Sequence, residues 1–185
     1  MKKDRREFFK ITASSALAAA LLPSVYYARE KPESGPEGAA RKSKVEQALS
    51  LFEKYNCCQS VLAAYSPELG MERNLALRAA AGMPGIGGLG NVCGTVSGAT
   101  LVIGLKTMNE NNIRDPEARH KTSDTVKEFV ARFEERHSSI KCKELLGCDI
   151  STPEGYRQAK KNNLFKTKCP KFVESAVDIL EELFS

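Results

Sequence analysis

Cys93-Gly94-Thr95-Val96-Ser97-Gly98-Ala99-Thr100-Leu101-Val102-Ile103-Gly104-Leu105-Lys106-Thr107-Met108 holds one charged side chain, Lys106. Its apolar residues (Val96, Ala99, Leu101, Val102, Ile103, Leu105) fall on every side of a helix. A helix that is apolar all round is a buried one, so this segment predicts the centre of the fold. The residues before it are Gly82-Met83-Pro84-Gly85-Ile86-Gly87-Gly88-Leu89-Gly90-Asn91. Their glycines and proline exclude regular helix or strand and predict a loop that leads into the central helix.

Outward from this centre the chain reads as further helices. Val45, Leu49, Leu51 and Phe52 place apolar groups on one face over about 43–55. Asn56, with Gln59 three residues on, is a capping-box start for a helix from Cys57 to about Tyr65. Leu75 to Ala81 predicts a third helix, ended by Gly82. After the central helix, Asp115-Pro116 opens a helix over about 116–137, striped by Val126, Phe129, Val130 and Phe133. A short helix spans about 140–146 and stops at Gly147, and Ser151-Thr152-Pro153-Glu154 opens another turn. Phe172, Val173, Ala176, Val177, Leu180 and Leu183 are periodic in a last helix from Pro170. No alternating strand pattern competes with these readings. The expected fold is all-α, a helical bundle around the 93–108 helix.

The chain has 185 residues and six cysteines. Four of them fall at or near expected helix starts. Cys57 opens the second helix, Cys93 the central one, Cys142 lies in the first turn of the short helix, and Cys169 is placed at the N-cap of the last. A helix start offers free N–H groups and about half a positive charge. Both favour a thiolate, the form that binds soft metals or attacks disulfides. Gly85, Gly87, Gly88 and Gly90 let backbone approach such a cluster, and consecutive N–H groups there could form an anion-binding nest. Gly94 and Gly98 share one helix face, where small residues let a neighbouring helix come close. Cys58 and Cys148 read as spare. Cys58 points about 100° away from Cys57 on the same helix, and Cys148 follows the Gly147 cap and could fold back towards Cys142. Both suit a small buried hydrophobe better than a ligand. His120 and His137 sit among charged residues and read as solvated.

The N-terminus reads as an address. Lys2 and Lys3 precede Asp4-Arg5-Arg6-Glu7-Phe8-Phe9-Lys10, and an apolar run from Ile11 to Leu22 follows. The paired arginines before Phe8-Phe9-Lys10 resemble a twin-arginine export signal, which carries folded proteins across the bacterial inner membrane. Export to the periplasm is expected. Tyr26-Tyr27-Ala28 makes a poor cleavage site, so the segment could stay as a membrane tether. Residues 29–42 read as a flexible linker, leaving 43–185 as a cysteine-rich helical domain. Of the formal net charge of +5, residues 1–28 supply +3, so the basic balance says little about partners. With no Trp and 7% aromatic residues, the chain lacks the stacking platforms of a single-stranded nucleic-acid binder. No Cys-x-x-Cys-His occurs, which excludes c-type haem.

At the cysteines the chain resembles the redox-active proteins named for their C–GCAxxG–C–C pattern. Asn56-Cys57-Cys58-Gln59-Ser60-Val61 matches the first motif, and Val92-Cys93-Gly94-Thr95-Val96-Ser97-Gly98 the core one. Cys142-Lys143-Glu144-Leu145-Leu146-Gly147 matches the third, and Cys169-Pro170 the last. The resemblance covers about residues 43–183. Asn91-Val92 stands where the family has a glycine before the second cysteine, and Ser97 replaces a less polar residue. Split-Soret cytochromes look like haem-bearing relatives associated with a cysteine-held iron–sulfur centre, although their haem is not implied here.

Three chemistries follow. The first is electron transfer through an iron–sulfur cluster (two-iron or four-iron) on Cys57, Cys93, Cys142 and Cys169, with Cys58 and Cys148 as possible additions and Gly87, Gly88, Gly90 and Gly94 as backbone support. The second is thiol–disulfide exchange or disulfide stapling, which an oxidising compartment favours. The third is a structural zinc site. A separate redox partner protein is expected, and a homodimer sharing the site would satisfy the same residues.

Overall fold

The structure, a computed structural model, describes the backbone of residues 36–185 and the side chains of residues 43–185. The expected export signal and the first part of the expected linker lie outside the described residues. The remaining part of that linker is helical backbone, because α1 runs Pro36–Phe52. A proline suits a first helical turn, and Ala39 and Ala40 are strong helix formers.

Nine further elements follow: α2 (Cys57–Tyr65), α3 (Arg73–Ala79), α4 (Gly85–Gly88), α5 (Gly94–Thr107), α6 (Pro116–His137), α7 (Cys142–Leu146), α8 (Pro153–Lys161), α9 (Leu164–Thr167) and α10 (Cys169–Phe184). The class is all-α. Among the described residues the one β-type pairing is an isolated antiparallel bridge, Val92 with Lys141. No described helix is long and apolar enough to cross a membrane.

Several local predictions hold in detail. Asn56 caps α2, its side chain accepting from Cys58 N and Gln59 N, while Gln59 reaches back to the Asn56 N–H. Asp115 caps α6 with Pro116 in its first turn. Gly147 ends α7 in the left-handed conformation, at φ 75°. α9 was not expected. It leads directly into α10 through Lys168, whose backbone is helical. Cys169 is therefore the first helical residue of α10 rather than its N-cap.

α5 packs against α2, α6 and α10, and α2 packs against α1, α3, α5 and α10. The two helices share the centre. The first half of α5 is buried, whereas Leu105 near its end is exposed. The α2–α5 contact is close because Gly98 lacks a side chain. A Cβ there would stand 2.9 Å from Cys58 O and 3.0 Å from Val61 Cβ. Around this pair the core is filled by Leu62, Tyr65, Val102, Phe129, Phe133, Val177 and Leu180, all buried. Each such side chain contributes about 1.5–3 kcal/mol on burial. Tyr65 keeps its polar end satisfied by donating to Glu181 Oε1 at 2.7 Å.

Candidate functional site

A cavity of about 490 Å³ opens where the leading ends of α2, α5, α7 and α10 converge. Cys57, Cys93, Cys142 and Cys169 all line it. The remaining wall is largely apolar and includes Phe52, Tyr55, Ile150, Tyr156, Phe165 and Phe172, with no carboxylate, imidazole, ammonium or guanidinium. Cys58 and Cys148 are not on the wall. Cys58 is fully buried in the α2–α5 core. Cys148 lies near enough to Cys142 to raise its pKa, just beyond the Gly147 cap. All six cysteines are unpaired in this structure.

Three devices bring the sulfurs together. The first is a clamp between the chain before α5 and the chain before α7. Cys93 N donates to Ile140 O (2.7 Å), Cys142 N to Asn91 O (2.6 Å) and Lys143 N to Gly90 O (3.0 Å). It ties Cys93 to Cys142 across nearly fifty residues of sequence. The second is Gly94, where a Cβ would lie 2.5 Å from Cys57 Sγ and 2.9 Å from Pro84 Cα. A bare backbone at that point lets Cys57 reach the start of α5. The third is Lys168, which donates to Leu145 O (3.2 Å) and Leu146 O (3.1 Å). It closes the carbonyl end of α7 and holds Cys169 beside it.

The glycine loop serves shape rather than donation. Gly85, Ile86, Gly87 and Gly88 have successive positive φ (55°, 44°, 65°, 85°), a left-handed turn that only glycines adopt without strain. Gly87 and Gly88 face the cavity. Their N–H groups are taken by Gly82 O (2.8 Å) and Pro84 O (2.9 Å), and those of Ile86 and Leu89 by Met83 O and Ile86 O. Over residues 86–89 the expected nest of free donors is therefore not formed. Gly90 belongs to the clamp.

The electrostatics also correct a prediction. Helix starts were expected to lower the pKa of all four thiols, but only Cys93 is lowered, to about 7. The largest cause is the S–H of Cys57, which donates to the Cys93 sulfur. The Thr95 hydroxyl and the Thr95 and Val96 N–H groups add to it. The Thr95 hydroxyl is buried and makes no hydrogen bond among the described residues, so it acts on Cys93 only as a nearby dipole. Cys57 is correspondingly raised, by that same hydrogen bond, by burial and by the neighbouring thiols. Burial pushes Cys58, Cys142 and Cys169 up to about 12. The free N–H groups that would have favoured these thiolates are spent elsewhere. Asn56 takes those of α2, the clamp takes those of Cys142 and Lys143, and α10 has no open start after α9.

His120 is exposed as expected. His137 is half-buried rather than solvated. Its ring packs against Phe133 (4.7 Å between centroids) and Phe172 (5.0 Å), and its Nε2 is buried with no partner among the described residues. Sequence reading also missed the aromatic wall, since Tyr55, Tyr156 and Phe165 lie in segments without apolar period. It missed Gly155 as well, where a Cβ would fall 1.9 Å from Asp149 O. That contact folds the 149–152 loop so that Ile150 reaches the cavity.

Among the described residues no three His, Cys, Asp or Glu side chains are placed to hold one metal ion. An iron–sulfur cluster is held differently from a single ion: in a four-iron cluster each thiolate binds its own iron, and in a two-iron cluster each iron takes two. Four soft sulfur donors with no competing hard ligand on the wall fit such a group. A family model described as "Putative redox-active protein (C_GCAxxG_C_C)" matches residues 55–183. Neither a curated protein nor a solved structure matches the chain.

Proposed function

From the premise that the chain belongs to the C_GCAxxG_C_C family of redox-active proteins, we propose that it is an exported electron-transfer protein. Cys57, Cys93, Cys142 and Cys169 would hold an iron–sulfur cluster, which when bound supplies one-electron chemistry at the cavity. One observation carries this reading. Four cysteines from four separate helix starts line one apolar cavity, while the two remaining cysteines do not. The protein's own part is to gather the sulfurs, to exclude water with Phe52, Phe165 and Phe172, and to keep other ligands off the wall. Arg5-Arg6 with Phe8-Phe9-Lys10 supports export after folding, which suits a cofactor loaded inside the cell.

Purification without oxygen is the test. Brown protein with comparable iron and acid-labile sulfide is expected, with Cys93→Ser colourless and Cys148→Ser still brown. Equal bleaching by both substitutions would overturn the ligand set.

A second reading has its own support. Cys57 donates its S–H to a Cys93 sulfur poised as thiolate near neutral pH, an arrangement suited to thiol–disulfide exchange. Cys93 would attack a substrate disulfide and Cys57 would resolve the mixed disulfide. The chain would lose two electrons and two protons, and the substrate would leave as two thiols. Colourless protein whose Cys57 and Cys93 cycle reversibly between thiol and disulfide would favour this reading.

A further inference from the structure

The charge of the described fold is unevenly placed. Residues 141–171 carry eight basic and three acidic side chains, residues 43–140 eleven of each, and residues 172–185 four acidic and none basic. The basic segment comprises α7, α8, α9 and the start of α10. It supplies Cys142, Ile150, Tyr156, Phe165 and Cys169 to the cavity wall. Within it the ion pairs are Lys141–Glu144 and Arg157–Glu154. Lys143, Lys160, Lys161, Lys166 and Lys171 are exposed and have no ion-pair partner among the described residues. Lys160 Nζ stands 5.3 Å from the centre of the ring of Tyr156, a residue of the cavity wall, which places this charge beside the wall.

The cavity mouth is also apolar at its edge. Tyr55 and Tyr156 line the cavity yet remain 38% and 45% exposed. Exposed apolar groups at a cavity on a segment with an excess of one charge sign are the make-up of a protein docking site. Unpaired like charges around it steer a partner of opposite charge and set its orientation.

We infer that this face docks a small acidic electron-carrier protein, its carboxylates meeting Lys143, Lys160, Lys161, Lys166 and Lys171 and an apolar patch covering Tyr55 and Tyr156. The inference rests on the redox reading of the cavity, but it is a statement about binding and is tested as one. Electron transfer favours short separations, and Cys142 and Cys169 of the cavity wall belong to the same segment as these lysines.

The experiment uses the purified chain as isolated, with its iron and sulfide content measured first. Two probes of strongly negative net charge, a [2Fe–2S] ferredoxin and a flavodoxin, are titrated in by calorimetry at several salt concentrations. Expected is saturable one-to-one binding of at least one probe that weakens as salt rises. Lys160→Glu, Lys161→Glu and Lys166→Glu together should weaken it by about tenfold or more. Arg119→Glu, Lys121→Glu and Lys127→Glu together, on exposed α6 positions away from the cavity, should not. Should the first triple variant unfold, its glutamine counterpart gives the same comparison, and the wild-type salt dependence stands independently. Binding by neither probe, binding indifferent to salt, equal loss in both triple variants, or preferential binding to vesicles of anionic lipid would overturn the inference. Protein without iron that still binds the acidic probe would remove the cluster and leave the docking face. Iron-loaded protein that binds neither would do the reverse.

Discussion

Cys93 shows how one sulfur is distinguished from its neighbours. All four cavity cysteines share an apolar setting, Cys93 and Cys169 buried and Cys57 and Cys142 half-buried, which by itself raises a thiol pKa. Cys93 is turned the other way chiefly because Cys57 gives it a proton to share. In metal-free protein, alkylation of Cys93 should therefore rise with pH around a midpoint near 7. In Cys57→Ala that midpoint should move upward, as mass spectrometry of the modified peptide over pH 6–10 would show. An unmoved midpoint would mean that the Thr95 and Val96 groups suffice. His137 makes the opposite case. Burial between two phenylalanine rings, with Arg136 adding to it, lowers its pKa from 6.5. The unfolded chain then binds a proton at a pH where the folded chain does not. Stability contributed by the neutral ring is complete above pH 6.5 and is lost as pH falls towards the lowered folded value. His137→Phe should flatten that acid limb in thermal melts between pH 5 and 7. The flanking Glu134, Glu135 and Arg136 hid this from sequence reading, since their charges point out of the same helix that turns His137 inward.

Among the elements, α2 was read correctly to the residue because its signals are local. Asn56 and Gln59 close the capping box within four residues, and Asn56→Ala should cost about 1 kcal/mol in denaturant unfolding. The same cap explains why the helix-start argument failed for Cys57. A capping side chain and a cysteine compete for the same N–H groups, and the oxygen takes them. The clamp between residues 90–93 and 140–143 could not be read at all. It joins two irregular segments by backbone bonds alone, and backbone bonding leaves no periodic trace in side chains. Gly155 was invisible for a related reason, since its neighbour, Asp149 O, is a carbonyl. Gly155→Ala should force the 149–152 loop outward, costing towards the upper end of the roughly 1–3 kcal/mol typical of overpacking. It should also open the Ile150 side of the cavity. A lowered melting temperature together with faster alkylation of Cys142 would check both effects. Unchanged melting would mean that the loop rearranges at no cost.

At the scale of the whole molecule, the sequence carried the set of four cysteines, because each sits beside a helix punctuation mark that is short-range and legible. It did not carry their electrostatics, which depend on what lies across the cavity. This has a consequence for the metal-free protein. Cys57, Cys58, Cys142 and Cys169 are all raised above their ordinary value of 9.0, while Cys93 alone is lowered. For a raised thiol, folding favours the neutral form. Its contribution is complete below pH 9 and is lost as pH rises from 9 towards about 12, where Cys58, Cys142 and Cys169 titrate in the folded state. For Cys93 the sign is reversed. Its thiolate adds stability as pH rises from about 7 to 9 and adds no more beyond that. Four losses against one completed gain mean that the metal-free chain should be most stable near pH 8–9 and lose stability steeply above it. Tyr65, raised by burial and by its bond to Glu181, acts in the same direction. Chemical denaturation of metal-free protein at intervals from pH 7 to 11 measures this directly. Replacing Cys57, Cys142 and Cys169 by serine should shallow the alkaline limb, since a serine hydroxyl does not ionise in that range. If the triple serine variant falls as steeply as the parent, the sulfurs are not sharing one desolvated cavity, and the gathering of thiols on which the redox reading depends fails with it.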